Sequence, residues 1–204
     1  MRVTLIQQTP NPVETIAEIA SICYDSNPAD PMKLVRHLYR NGHHSVMEHI
    51  YFTFKIEGIS RACSHQLVRH RMCSFTQRSQ RYCNEGSFCY VTPNSIYDKC
   101  RDSYNYHMYM LADYYHLIHR DVPKEDVRYI LPNACATDLY LSCNLRELIH
   151  ISNERLCSRA QWEIRELVKQ MVDLVHPDLK FMLVPKCKSG RIICNSPCKS
   201  KGEI

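Results

Sequence analysis

No stretch of the 204-residue chain stays apolar long enough to cross a bilayer, and no secretory signal is visible either. The first twelve residues are broken by polar side chains, Pro10 and Pro12, where a signal peptide needs an unbroken apolar core. The expectation is a cytoplasmic protein with no membrane partner. Internal repeats and low-complexity blocks are also missing. Cys187, Cys194 and Cys198, set beside Lys and Gly near the C-terminal end, lack the paired Cys-x-x-Cys spacing of a zinc site. His43, His44 and His49 lack the His-x-x-x-His helix spacing, with its glutamate, of a metallohydrolase. No metal is expected. The remaining nine of the twelve cysteines are scattered from Cys23 to Cys157 through segments of helical or core character, which reads as reduced, small core residues rather than a disulfide framework. The most telling absence is local: residues 69–82 contain no acidic side chain.

That stretch, Arg69-His70-Arg71-Met72-Cys73-Ser74-Phe75-Thr76-Gln77-Arg78-Ser79-Gln80-Arg81-Tyr82, holds four arginines, one histidine and two serines. Guanidinium forks match phosphate oxygens and hydroxyls add short contacts, so the composition suits a phosphorylated ligand. Net charge is +5 with a pI near 8.6, which fits an anionic substrate without demanding nucleic acid. A chain of this length, 45% hydrophobic, can bury one sizeable core. A single domain over residues 1–186 is expected, followed by a flexible, basic, Cys-containing tail over 187–204.

Pattern and capping residues place most helices. Pro12 opens one that runs to about Cys23, and Asp30-Pro31 through Asn41-Gly42 bounds another. Ser45 to Glu48 has capping-box form, and Ile50 to Glu57 alternates as a half-buried strand. Ser60 caps a helix carrying Ala62, Cys63, Gln66, Leu67 and His70, so the Arg-rich stretch runs from a helix end into a loop. A long core helix is expected from about Asn94 to His119, and a short one from Asp121 to Leu131. Asn144, with Glu147 at the third position, starts a helix of about thirty residues that meets no proline before Pro177. On it Asn144, Leu148, Ile151 and Arg155 share one face, and Arg146, His150 and Cys157 another, an arrangement suited to a site shared between subunits. Trp162 reads as packing.

The spacing Arg-His-Arg, seven residues, Ser, one residue, Arg resembles the signature of the flavin-dependent thymidylate synthases. His43, Glu48-His49, Gln66, Val122-Pro123 before Arg128, and Asn144-x-Arg146 with Arg155 follow the order found there. The resemblance implies an α/β (α+β) fold, a central antiparallel sheet flanked by helices. It implies a methyltransferase making dTMP from dUMP, with methylenetetrahydrofolate as carbon donor, FAD as hydride carrier and NADPH as reductant, in a homotetramer with shared sites. It assigns dUMP to Gln66, Arg69, Gln77, Arg78, Ser79, Gln80, Arg81, Arg128 and Arg155. It assigns FAD to His43, Ser45, Arg69, His70, Arg71, Met72, Gln77, Asn144, Arg146 and His150. Physical chemistry agrees on two roles: Arg81, Arg128 and Ser79 can satisfy a phosphate dianion, and Arg155, the expected catalytic residue, can stabilise a uracil ring anion.

This chain departs from the family at several points. Thr76-Gln77 stands where Asn-Glu is common, His150 where some relatives have Asn, Cys23 where Ser is found, and the tail beyond Lys186 matches nothing in the pattern. Ser79 has no adjacent base and reads as a binder, not a nucleophile. The alternative nucleophile is a thiol, Cys73 or Cys83, beside the signature. The rival reading is a nucleic-acid-binding module, in which Arg69, Arg71, Arg78 and Arg81 hold backbone phosphates while Phe75 and Tyr82 stack on bases.

Overall fold

A computed structural model describes residues 1–23 and 29–190; Cys194 and Cys198 lie outside the described residues. In chain order, the elements are β1 (Arg2–Gln8), α1 (Pro12–Ser21), α2 (Pro31–Arg40), a 3-10 turn (Ser45–His49), β2 (Tyr51–Ser60), α3 (Arg61–Leu67), β3 (Cys73–Gln77), α4 (Asn94–Ile118), α5 (Lys124–Val127), β4 (Ala136–Asn144), α6 (Leu145–Arg155) and α7 (Trp162–Leu174). The four strands form one sheet in the order β1-β2-β4-β3. Its pairings are antiparallel: Arg2 Nη2 meets Glu57 Oε2 at 2.7 Å while the Thr9 amide bonds the Tyr51 carbonyl. Likewise Thr53 Oγ1 lies 2.9 Å from Ser142 Oγ while the Gly58 amide donates to Asp138 Oδ1. The mixed α/β class with an antiparallel sheet is as expected.

By its contacts the chain divides into two compact units. One comprises Met1–Arg2, Ile56–Arg69 and Thr76–Leu139; the other comprises Val3–Lys55, His70–Phe75 and Tyr140–Ile204. In the first, Phe88, Met108 and Cys135 form a small core, with Tyr90, Tyr104, Leu111 and Ala112 packed against it. In the second, α1 packs on α2, and α6 packs on both α7 and the Ser45–His49 turn.

Local rules explain several boundaries. Asp30 accepts from the Lys33 amide at 3.0 Å, and Ser60 from the Cys63 amide at 3.0 Å. Other expectations are corrected. Ser45 caps nothing, because His44 is the N-cap and its side chain makes no capping bond, so there is no capping box there. His70 lies beyond the end of α3. Residues 73–77 are strand, not loop, since they pair with β4. The α4 helix bends at Cys100 (φ −152°) and buries only Met108 and Tyr115; Tyr97, Tyr106, Tyr109, Met110, Tyr114 and Leu117 are exposed, so it is no core helix. The thirty-residue helix is two: α6 stops at Arg155, and the Gln161 side chain accepts from the Glu163 and Ile164 amides to start α7. Trp162 is 38% exposed, so packing covers only part of it. Among the described cysteines all are free, but only Cys63, Cys135 and Cys143 are buried.

Candidate functional site

In the first unit the second half of the Arg-rich stretch is held down at every residue. The Arg78 amide bonds the Asp138 carbonyl, its Nε donates to buried Glu85 at 3.0 Å, and its own carbonyl accepts from Arg61. Ser79 Oγ accepts from the Arg81 amide at 3.2 Å, while the Ser79 carbonyl accepts from the Cys83 amide, forming a tight turn. Gln80 donates to Cys135 Sγ. Arg81 makes a two-pronged contact with Glu125 (3.0 and 2.7 Å), and Arg128 Nε donates to the Glu125 carbonyl at 2.9 Å. Both expected phosphate-binding arginines therefore converge on one residue. Gln77 donates to Ser64 Oγ (3.0 Å) and Thr137 Oγ1 (3.3 Å), which leaves its amide oxygen as the acceptor for a ligand. Gln66 is half-buried and bonds the Ala62 carbonyl, and Arg69 is exposed. The Cys135 thiol is pushed up to about 11, chiefly by burial and then by Glu85, so it is no thiolate at neutral pH.

In the second unit His70 is the centre. It is 6% exposed, its Nε2 accepts from Arg155 Nε at 3.0 Å, and its ring meets His150 edge-on with centroids 5.5 Å apart. Burial first, then the charge of Arg155, lowers the His70 pKa to about 4. A guanidinium can only donate, so Nε2 must be the lone-pair nitrogen and the proton sits on Nδ1, 3.6 Å from Glu147 Oε1. That spacing would count as an ion pair only for a charged ring; here it is a neutral N–H facing a carboxyl whose own pKa burial raises. The nearest donor atoms of His70, Glu147 and His150 lie within 4.8 Å of one another, but the Arg155 cation bonded to the same ring opposes a metal there.

Asn144 caps α6 by accepting from the Glu147 amide, and Arg146 Nη1 pairs with Glu48. Arg146 and His150 line a cavity of about 250 Å³ with Tyr39, His44, Asn153 and Glu154, where the Tyr39 and His44 rings stack at 5.4 Å. Asn153 is buried; its amide nitrogen donates to the Ile149 carbonyl at 2.6 Å, which fixes the amide's orientation, and its oxygen has no partner among the described residues. His43, Ser45 and Arg71 are exposed, and Met72 is 73% exposed. The two polar faces expected of α6 are not independent, because His70 touches both Arg155 and His150.

Sequence reasoning missed Glu85, Glu125, Glu147, Asn153 and Tyr39. Only Glu147 carried a signal, as a capping partner, and its carboxyl turns toward His70 instead. The rest are fixed by contacts between residues distant in the chain.

Comparison with known proteins decides the family. The family described as "Thymidylate synthase complementing protein" matches residues 4–179. A flavin-dependent thymidylate synthase of Geobacter sulfurreducens is 40% identical, with 99% of this chain and 92% of that protein aligned. The chain belongs to the flavin-dependent thymidylate synthase family. A second member, from Pyrococcus furiosus, is 41% identical over 92% of this chain and 86% of its own. Solved structures support the family fold. A Helicobacter pylori thymidylate synthase solved with FAD and dUMP superposes with a TM-score of 0.75 at 20% identity, covering 90% of this chain and 97% of that one. A UMP/dUMP methylase from Streptomyces cacaoi bound with 5-Br dUMP gives 0.76 at 22%, covering 89% and 93%. In the family's terms the Arg-rich stretch and Arg155 both fall within the matched span. Among the described residues no helix is long and apolar enough to cross a membrane.

Proposed function

We propose that this chain is a cytoplasmic thymidylate synthase that methylates dUMP at C5 to give dTMP, with methylenetetrahydrofolate as carbon donor, FAD as hydride carrier and NADPH as reductant. Residues 1–186 form its catalytic part, and it works as a homotetramer with shared sites. The observation that carries this reading is the family match over residues 4–179, which contains the whole signature together with Arg128, Asn144, Arg146 and Arg155. The nucleic-acid reading is not favoured: it leaves Arg128, Asn144, Arg146 and Arg155 without a role, and all four fall inside the family match.

For dUMP, Arg81 and Arg128 with Ser79 take the phosphate. The Arg81–Glu125 pair is half-exposed and screened by solvent, so a dianion can displace the carboxylate. Gln66, Arg69, Arg78, Gln80 and the amide oxygen of Gln77 orient the nucleoside. Arg155 faces the uracil edge as a permanent cation; there it stabilises negative charge on N3 and its carbonyls and raises electron density at C5. His70 holds Arg155 through Nε2 without competing for charge, because it is neutral.

The residues fit a flavin dinucleotide: Arg146 and His150 line the cavity, and the buried, unpartnered oxygen of Asn153 calls for a hydrogen-bond donor. His43, Ser45, Arg69, His70, Arg71, Met72, Gln77, Asn144, Arg146 and His150 would hold FAD. When bound, it supplies the hydride that reduces the transferred carbon to a methyl group. The deciding experiment is tritium release from C5-labelled dUMP with and without methylenetetrahydrofolate and NADPH, on protein checked for bound flavin. Release that needs the folate is expected; no release under any condition overturns the synthase reading.

A further inference from the structure

Strands β3 and β4 are neighbours, and the Arg78 amide bonds the Asp138 carbonyl. In an antiparallel pair opposite residues keep a constant sum of numbers, so this bond sets Cys73 directly opposite Cys143. Stepping back from the hydrogen-bonded pair 78/138, odd-numbered β3 residues occupy the non-hydrogen-bonded positions, where opposed Cα atoms approach to ~4.5 Å and side chains lie on the same face. That spacing falls inside the range a disulfide bridges without moving backbone. Both are free thiols, Cys143 buried and Cys73 half-buried, and the pair lies within one compact unit. The Cys143 thiol is pushed up, first by its contact with Cys73 and then by burial, as expected of two sulfurs in touch. Neither has a role in the proposed chemistry, yet Cys73 follows Arg71-Met72 and Cys143 precedes the cap Asn144.

We propose that Cys73 and Cys143 form a reversible dithiol–disulfide site, oxidised by small-molecule disulfides, that ties the Arg-rich stretch to the N-terminus of α6. The thiolate of the more accessible Cys73 attacks one sulfur of the small disulfide, forming a mixed disulfide and releasing one small thiolate, which takes up a proton. Cys143 then gives up its proton as its sulfur attacks Cys73 Sγ, expelling the second small thiol. The protein loses two hydrogens and one small disulfide becomes two thiols. The test incubates the full chain with oxidised glutathione, alkylates the remaining thiols and maps tryptic peptides without reduction. A cross-link between the Met72–Arg78 peptide and the peptide containing Cys143 is expected, with fragment ions placing it at Cys143 and not at Cys135. It should raise the melting temperature by about 5 °C or more, reversed by dithiothreitol and absent in Cys73→Ser and in Cys143→Ala. Cys73 left alkylatable, held as a stable glutathione adduct, or linked to any other cysteine would overturn the proposal.

Discussion

Arg155 and His70 are the two side chains on which the proposed chemistry most depends. A lone cation acting on charge that develops in the uracil ring is worth about 3 to 4 kcal/mol, so Arg155→Ala is expected to lower dTMP formation by two to three orders of magnitude. Fold and FAD content should change little, because α6 is anchored by Leu145, Leu148 and Ile151, all fully buried. Turnover within a few-fold of wild type would remove Arg155 from the catalytic role. His70 makes a separate prediction from its lowered pKa. The unfolded ring protonates near 6.5 and the folded one near 4, so between those values the unfolded state binds the extra proton. The His70 contribution is intact above pH 6.5 and is lost as pH falls toward 4. Ring-nitrogen NMR should show the Nδ1–H tautomer persisting at pH 5.5; an imidazolium there would sink the assignment. The site's cations were legible in sequence because an Arg-rich stretch with fixed spacing is a local signal. Their partners Glu85 and Glu125 were not, because each is set by the fold and carries no spacing rule.

At the scale of elements, the boundaries that could be read are those written by caps and prolines: Asp30-Pro31 for α2 and Ser60 for α3. Only β2 of the four strands was read from the residues, although the sheet was implied by family resemblance. The β4 strand carried a readable alternation, with Thr137, Leu139, Leu141 and Cys143 buried in turn. By contrast β3 is polar, with no residue fully buried, and owes its form to pairing with β4. The break after α6 contains neither proline nor glycine; it is made by side chains, as Gln161 caps α7 and Arg165 bonds the Ser158 carbonyl at 2.8 Å. Removing that cap by Gln161→Ala should therefore cost about 1 kcal/mol, a drop of roughly 2 to 4 °C in melting temperature. An unchanged melting temperature would mean that burial of Ile164, Leu167 and Val168 alone defines where α7 starts.

For the whole molecule the open question is which residues come from one chain. His70 contacts both Arg155 and His150, so in the proposed site these three come from a single subunit. If the proposed sites are shared, the partner's contribution comes from elsewhere, and the phosphate pair Arg81 and Arg128 is the natural candidate. The exposed tyrosines and Leu117 of α4 offer an apolar face by which a second copy could associate. Arg81→Ala and Arg155→Ala chains, each poorly active alone, should then complement when co-expressed, since a mixed oligomer builds some sites with Arg81 from one chain and Arg155 from another. With equal amounts and random pairing, about one quarter of the sites would be intact. Activity well above either parent, in oligomers shown to be mixed, is the expected result. Failure to recover activity in such oligomers would place Arg81 and Arg155 on the same chain, and an active monomer in ultracentrifugation would end the shared-site proposal, because no partner would be there to complete the site.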